Sequence, residues 1–166
     1  MIALRNGVAA FLRNNDQILL MKRANNRIIA PGVWSGVGGH MEPCEINAPL
    51  AVCYREIEEE TGITRSRIER LDLLYIITRR RAEEISQSYI YFGETSQTDV
   101  IQTDEGELFW VHESELLERV YSKTFAAMLN HYITRGSRDY AVYVGVAGNT
   151  NGLLKMNWAR CEDFTL

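Results

Sequence analysis

GGHMEPCE, Gly38 to Glu45, followed after nine residues by REIEEETGI, Arg55 to Ile63, decides how this chain is read. Four of the five residues from Glu56 to Glu60 are glutamate. Like charges three and four apart on a helix repel by roughly 0.2–0.5 kcal/mol per pair. Either solvent dilutes that cost or a positive group binds among the carboxylates. Pro49 near the start and Gly62 at the end bracket a helix between them. At about 100° per residue, Leu50, Cys53, Tyr54 and Ile57 fall in one arc and are expected to face the core. Glu56, Glu59 and Glu60 share the neighbouring arc at i, i+3 and i+4, while Glu58 and Arg55 point elsewhere. Three oxygen donors on one stripe, beside a turn with backbone carbonyls, suit hard divalent cations such as Mg²⁺ or Mn²⁺. A solvated acidic helix surface is the alternative.

The rest of the chain narrows the setting. At 166 residues it fits one domain with a real core. A net charge of -4 leaves no global basic footprint, so no nucleic-acid polymer is expected as a partner. Three scattered cysteines, Cys44, Cys53 and Cys161, make no disulfide framework and fit a reducing, cytoplasmic setting. No stretch approaches a membrane span, and Arg5, Asn6 and Arg13 interrupt the N-terminal apolar residues, so neither a membrane nor a signal peptide is expected.

Residues 7–13 and 17–23 read as a β-hairpin about Asn14-Asn15-Asp16, then residues 24–32 as a loop and Trp34 onward as a short strand entering the glycine turn. Residues 70–78 and 86–95 read as strands flanking a charged turn that holds Arg79, Arg80 and Arg81. A polar loop, the strand LFWV (108–111) and helical segments at 113–119 and 124–135 follow. Residues 139–147 and 152–159 flank a turn at 148–152 and form a C-terminal hairpin. The order implies one mixed α/β domain with a late β extension.

The opening stretch resembles the Nudix box, G-x5-E-x7-REUxEExGU with U aliphatic. Gly39, Glu45, Arg55, Glu56, Ile57, Glu59, Glu60, Gly62 and Ile63 match it by type. Residues 46–54 are nine where the pattern has seven, which reads as a two-residue insertion in the loop before the helix. Cys44 stands where family members commonly have glycine. The resemblance implies a Nudix-type α/β/α sandwich with a mixed sheet over residues 1–136. Residues 137–166 then form a β-hairpin extension, packed on the same domain or on a partner in a homodimer.

It also implies Mg²⁺-dependent hydrolysis, with Mn²⁺ as a second candidate ion, of a small nucleotide in which a diphosphate is linked to a further group. The stretch APGVWSGVGGHMEP is most similar to the nucleoside triphosphate pyrophosphohydrolases, including those acting on oxidised dGTP. The expected reaction takes an NTP or dNTP to NMP and pyrophosphate. By position, Glu59, Glu60 and the Gly39 carbonyl become metal ligands, Glu56 a ligand or a carboxylate beside the base, and Arg55 holds the glutamates by a salt bridge. The general base is either a box glutamate or a carboxylate of the later loop, Asp104, Glu105 or Glu107, with Glu105 favoured. Lys22 and Arg23 resemble phosphate-binding residues, Arg79 belongs to the basic cluster, and Trp34 and Phe11 either stack a base or pack in the core. His40, His112 and His131 are read as structural or surface residues. The proline expected beyond the box in ADP-ribose hydrolases is absent, with Thr78 and Arg79 near its place, and so is the array of NADH hydrolases. Hydrolysis of ADP-ribose, a dinucleoside polyphosphate or a nucleotide sugar is the alternative substrate class. A non-catalytic nucleotide sensor and an isoprenoid diphosphate isomerase are the alternatives of other kinds.

Overall fold

The structure is a computed structural model, describing residues 1–24, 31–135 and 139–163. Most of the expected 24–32 loop and the expected boundary at 136/137 therefore lie outside the described residues. Eight strands form one mixed sheet: β1 (Ala3–Asn14), β2 (Gln17–Arg23), β3 (Trp34–Ser35), β4 (Ile68–Arg81), β5 (Glu84–Thr95), β6 (Gly106–His112), β7 (Tyr143–Thr150) and β8 (Leu153–Arg160). The order is β3-β2-β1-β5-β4-β7-β8, with β6 paired to the other edge of β2. Helix α1 (Pro49–Thr61) and helix α2 (Lys123–Arg135) are associated with two separate buried clusters. One cluster joins Phe11, Ile90 and Tyr75 to Met128 and Leu129 of α2, and the other joins Val8, Leu12 and Tyr91 to Cys53 and Ile57 of α1. Alternation along β1 explains the split, because neighbouring side chains of a strand face opposite ways.

The first hairpin is pinched only at its turn. β1 meets β2 at Arg13–Ile18 and Asn14–Gln17, and along the rest of its length it runs parallel to β5. Where β2 has moved off, residues 37–40 fill the gap, with Ala10 and Val37 exchanging both backbone hydrogen bonds and the Val8 N–H donating to the Gly39 carbonyl.

Three expectations need correcting. Arg79 to Arg81 lie in β4 rather than in a turn, because the hairpin closes more tightly on Ala82 and Glu83, with Ala82 at φ 48°. The first expected helical segment after LFWV is a 3-10 helix, Glu113–Glu118. The C-terminal turn narrows to Asn151-Gly152, both at positive φ as a tight hairpin demands. β7 of that hairpin pairs parallel to β4, extending the same sheet. Among the described residues, no helix is long and apolar enough to cross a membrane.

Candidate active site

Helix α1 ends where Gly62 adopts φ 75° and donates its N–H to the Glu58 carbonyl. Its buried residues are Val52, Cys53, Glu56, Ile57, Glu60 and Thr61. Leu50, expected in the core, is 41% exposed and Tyr54 is only half-buried. The buried arc shares Cys53 and Ile57 with the apolar one but is rotated from it by roughly 60°, so it runs through Glu56 and Glu60. Glu56 and Glu60 are inside the molecule, each 9% exposed.

The glycine turn receives both carboxylates. The Gly38 N–H donates to Glu60 Oε2 at 2.8 Å. At Gly39 a Cβ would lie 2.5–2.6 Å from the Glu56 carboxylate, so only glycine allows this approach. Burial pushes the Glu60 carboxyl up to about 8, and Glu105 and Arg23 are near enough for their charges to act on it in opposite senses. Burial also raises Glu56, against the pull of Arg55.

Arg55 ties the strip together. It is 2.9 Å from Glu56, 3.0 Å from Glu59 and bidentate on Glu45, with both contacts at 3.1 Å. The inserted residues do not displace Glu45. Glu45 closes a 3-10 turn, Pro43–Glu45, just before them, and its capping box joins the Glu42 N–H to the Glu45 carboxylate. That N–H first, then Arg55, holds the Glu45 carboxyl below its usual range.

Glu59 is brought to Arg55 but stays exposed, apart from the buried pair. The Gly39 carbonyl accepts from Val8 and keeps a second lone pair. Among the described residues no group of three His, Cys, Asp or Glu side chains is arranged to hold an ion as it stands. The donor chemistry nevertheless fits a hard divalent cation. Glu60 is a buried carboxylate with a backbone N–H as its hydrogen-bond donor and no ion pair with a basic side chain among the described residues. Ionised, a carboxylate so placed is short of positive charge, which a proton or a bound cation supplies.

A cleft of ≈ 450 Å³ adjoins Gly38 and Gly39 on the α2 side of the sheet. Trp34, Arg23 and Arg79 line it. Trp34 is half-buried, tilted against Phe109 at 5.2 Å with the Arg119 guanidinium over its ring. Phe11, fully buried and stacked on Phe92, is core. Lys22 opens instead onto a neighbouring groove of ≈ 940 Å³ between β2 and residues 102–109, which Arg23 shares. Arg5 is a cleft residue that sequence reasoning missed. Its signal was parity, since Arg5 lies on the same face of β1 as Ala9 and Phe11.

A NUDIX domain model matches residues 3–130. The chain belongs to the NUDIX domain family. Within the family, nucleoside triphosphatase NudI of Enterobacter sp. (strain 638) is 33% identical over 97 residues, 58% of this chain and 63% of that protein. The chain thus spans less than two thirds of that relative's length. A MutT protein from Bacillus halodurans superposes with a TM-score of 0.73 at 21% identity, covering 93% of this chain and 97% of its own. A MutT protein from Methanosarcina mazei Go1 gives 0.69 at 24%, covering 81% and 96%. At these identities the two MutT structures show the NUDIX fold. The first extends beyond residues 3–130, into the C-terminal hairpin.

Proposed function

We propose that this NUDIX chain is a divalent-metal-dependent pyrophosphohydrolase that converts an NTP or dNTP, oxidised forms included, to NMP and pyrophosphate, with Mg²⁺ as its ion and Mn²⁺ as a substitute. The observation that carries the reading is the pair of buried carboxylates, Glu56 and Glu60, set against a glycine turn at the mouth of an arginine-lined cleft. The likeness to NudI supports a nucleoside triphosphate as substrate.

Glu56, Glu59, Glu60 and the Gly39 carbonyl would hold the ion, which when bound neutralises phosphate oxygens and lowers the pKa of a coordinated water. Arg55 keeps the carboxylates oriented, as its contacts to Glu45, Glu56 and Glu59 support. Glu105 acts as general base, taking a proton from the attacking water; its charge already bears on Glu60. Lys22 and Arg23 bind phosphate oxygens, Trp34 offers a stacking face to the base, and Arg79 binds at the cleft's other end.

The test is a Mg²⁺-dependent hydrolysis panel of NTPs, dNTPs, oxidised dGTP, ADP-ribose, dinucleoside polyphosphates and nucleotide sugars. Pyrophosphate plus a monophosphate is expected, falling about 100-fold or more in Glu60→Gln and strongly in Glu59→Gln. Silence from every nucleotide would sink the reading.

Residues 1–136 form the catalytic domain in this reading and 137–166 a β extension. The three free thiols suit a cytoplasmic setting. β8 ends the sheet with Leu153 70% exposed, an edge suited to a second copy in a homodimer. Sedimentation showing a monomer at every concentration would refute the dimer.

A further inference from the structure

The cleft is charged in a way that a nucleoside does not call for. The chain carries 22 acidic residues against 18 lysines and arginines, yet four arginines, Arg5, Arg23, Arg79 and Arg81, line the cleft with no Asp or Glu among the described lining residues. Arg23 lies near the carboxylate end. The other three gather at the opposite end, at the outer ends of β1 and β4.

Strand register fixes their relation. Arg5 of β1 pairs with Ser86 of β5, and Ser86 pairs with Arg79 of β4, so the three residues form one rung on one face. Two strand spacings put the arginine Cα atoms about 10 Å apart with the serine between them. Ser86 is 8% exposed, and its hydroxyl oxygen accepts from Arg79 Nε at 2.9 Å, which leaves its own proton to donate. Among the described residues neither Arg79 nor Arg81 has a carboxylate within ion-pair distance. Arg5 has Glu84 at 3.6 Å and donates from Nε to His40 Nε2 at 2.5 Å.

The rung nearer the glycine turn is Gly7, Ser88 and Ile77, small enough at Gly7 and Ser88 to leave room above the sheet. Gly7 lies against the Gly39 carbonyl, 3.0 Å from where a Cβ would be. From Gly7 to Arg5 is two residues of strand, about 7 Å, a distance that one pentose spans.

We propose that the cleft takes a diphosphate whose sugar carries a second phosphate, held by Arg5 and Arg79 over the Ser86 hydroxyl. The proposal rests on the hydrolase reading and sharpens its substrate class. Guanidinium forks match a phosphate dianion bidentately, and Arg81, one rung further out, adds charge at the rim. Two sources share this chemistry: a nucleotide phosphorylated on its ribose, and a phosphosugar diphosphate without a base.

Binding by the full chain separates the subsite from turnover. Dissociation constants are measured in the Glu60→Gln background for two pairs: 3′-phosphoadenosine 5′-diphosphate against ADP, and 5-phosphoribosyl 1-diphosphate against ribose 1-diphosphate. The second phosphate is expected to tighten binding by about tenfold or more in at least one pair, as a charge-assisted contact does. Arg5→Gln or Arg79→Gln should bring that ratio to about one, with thermal midpoints kept, since both side chains are exposed. A preference in the first pair alone names the nucleotide, and in the second alone the phosphosugar. Equal affinities within both pairs, or a preference that survives both substitutions, overturns the proposal. A chain that hydrolyses nothing yet discriminates within a pair sinks the hydrolase reading and leaves the subsite standing.

Discussion

Glu60 is the residue whose environment departs furthest from water among the box carboxylates. Burial moves its carboxyl from the ordinary 4.5 to about 8. Between those values the native state keeps a proton that the unfolded chain has released. Stability of the metal-free protein therefore falls as pH rises from about 4.5 to about 8 and levels off above. Denaturant titrations in chelator should show that slope, roughly a few kcal/mol in total, and Glu60→Gln should flatten it. The two glycines beside Glu60 make a second test. A Cβ on Gly38 would lie 2.2 Å from the Val8 carbonyl oxygen, which is backbone and cannot yield. On Gly39 its nearest neighbours would be the tip of the Glu56 side chain, which can swing away. Gly38→Ala should cost about 2 kcal/mol or more in stability, whereas Gly39→Ala should fold normally and lose most activity. Urea midpoints and initial rates, measured on the same samples, decide both.

At the scale of elements, α1 is a strut for a carboxylate strip, and Arg55 is its clamp. Lysine at that position keeps the charge but loses the fork that spans Glu45 and the nearer glutamates. Arg55→Lys is expected to lower kcat/KM about tenfold or more with little change in thermal midpoint, because the contacts to Glu45 and Glu59 are half-exposed or exposed and lysine keeps a positive charge beside the buried Glu56. Equal loss of both would instead make the clamp a folding element. The helix ends were legible, since Pro49 and Gly62 act locally whatever packs around them. Its buried face was not. Apolar patterning selects Leu50 and Tyr54, but the second half of the helix is buried through carboxylates, and no hydropathy rule assigns glutamate to an interior. That Glu45 still reaches the strip despite the insertion was equally hidden, because a bidentate ion pair across ten residues is set by the way the loop packs. Strand membership of Arg79 was missed for a related reason: a charged run reads as a turn until the tight closure at Ala82 is known.

Across the whole molecule, the C-terminal hairpin is wired into α2. Trp158 stacks on His131 at 4.7 Å and meets Tyr75 edge-on at 5.4 Å, while the Tyr75 hydroxyl accepts from Arg135 at 2.8 Å. Arg135 in turn reaches the Asp139 carboxylate, which also accepts from the Tyr143 hydroxyl. Trp158→Ala should therefore cost about 2–3 kcal/mol, read from a chemical denaturation midpoint. An unchanged midpoint would mean that the hairpin is an appendage. The carboxylates lie with α1 and the arginine rungs lie with α2, and the two meet where residues 37–40 fill the parting of β1 from β2. The sheet is thus a partition, and the glycine turn is the seam where its two sides come within reach of each other. In the proposed function a substrate would lay its slim diphosphate against that seam and leave its bulk in the cleft on the α2 side. On that reading, substitutions in the cleft would change what is accepted while leaving the carboxylate strip untouched, so new specificities would lie a few substitutions away.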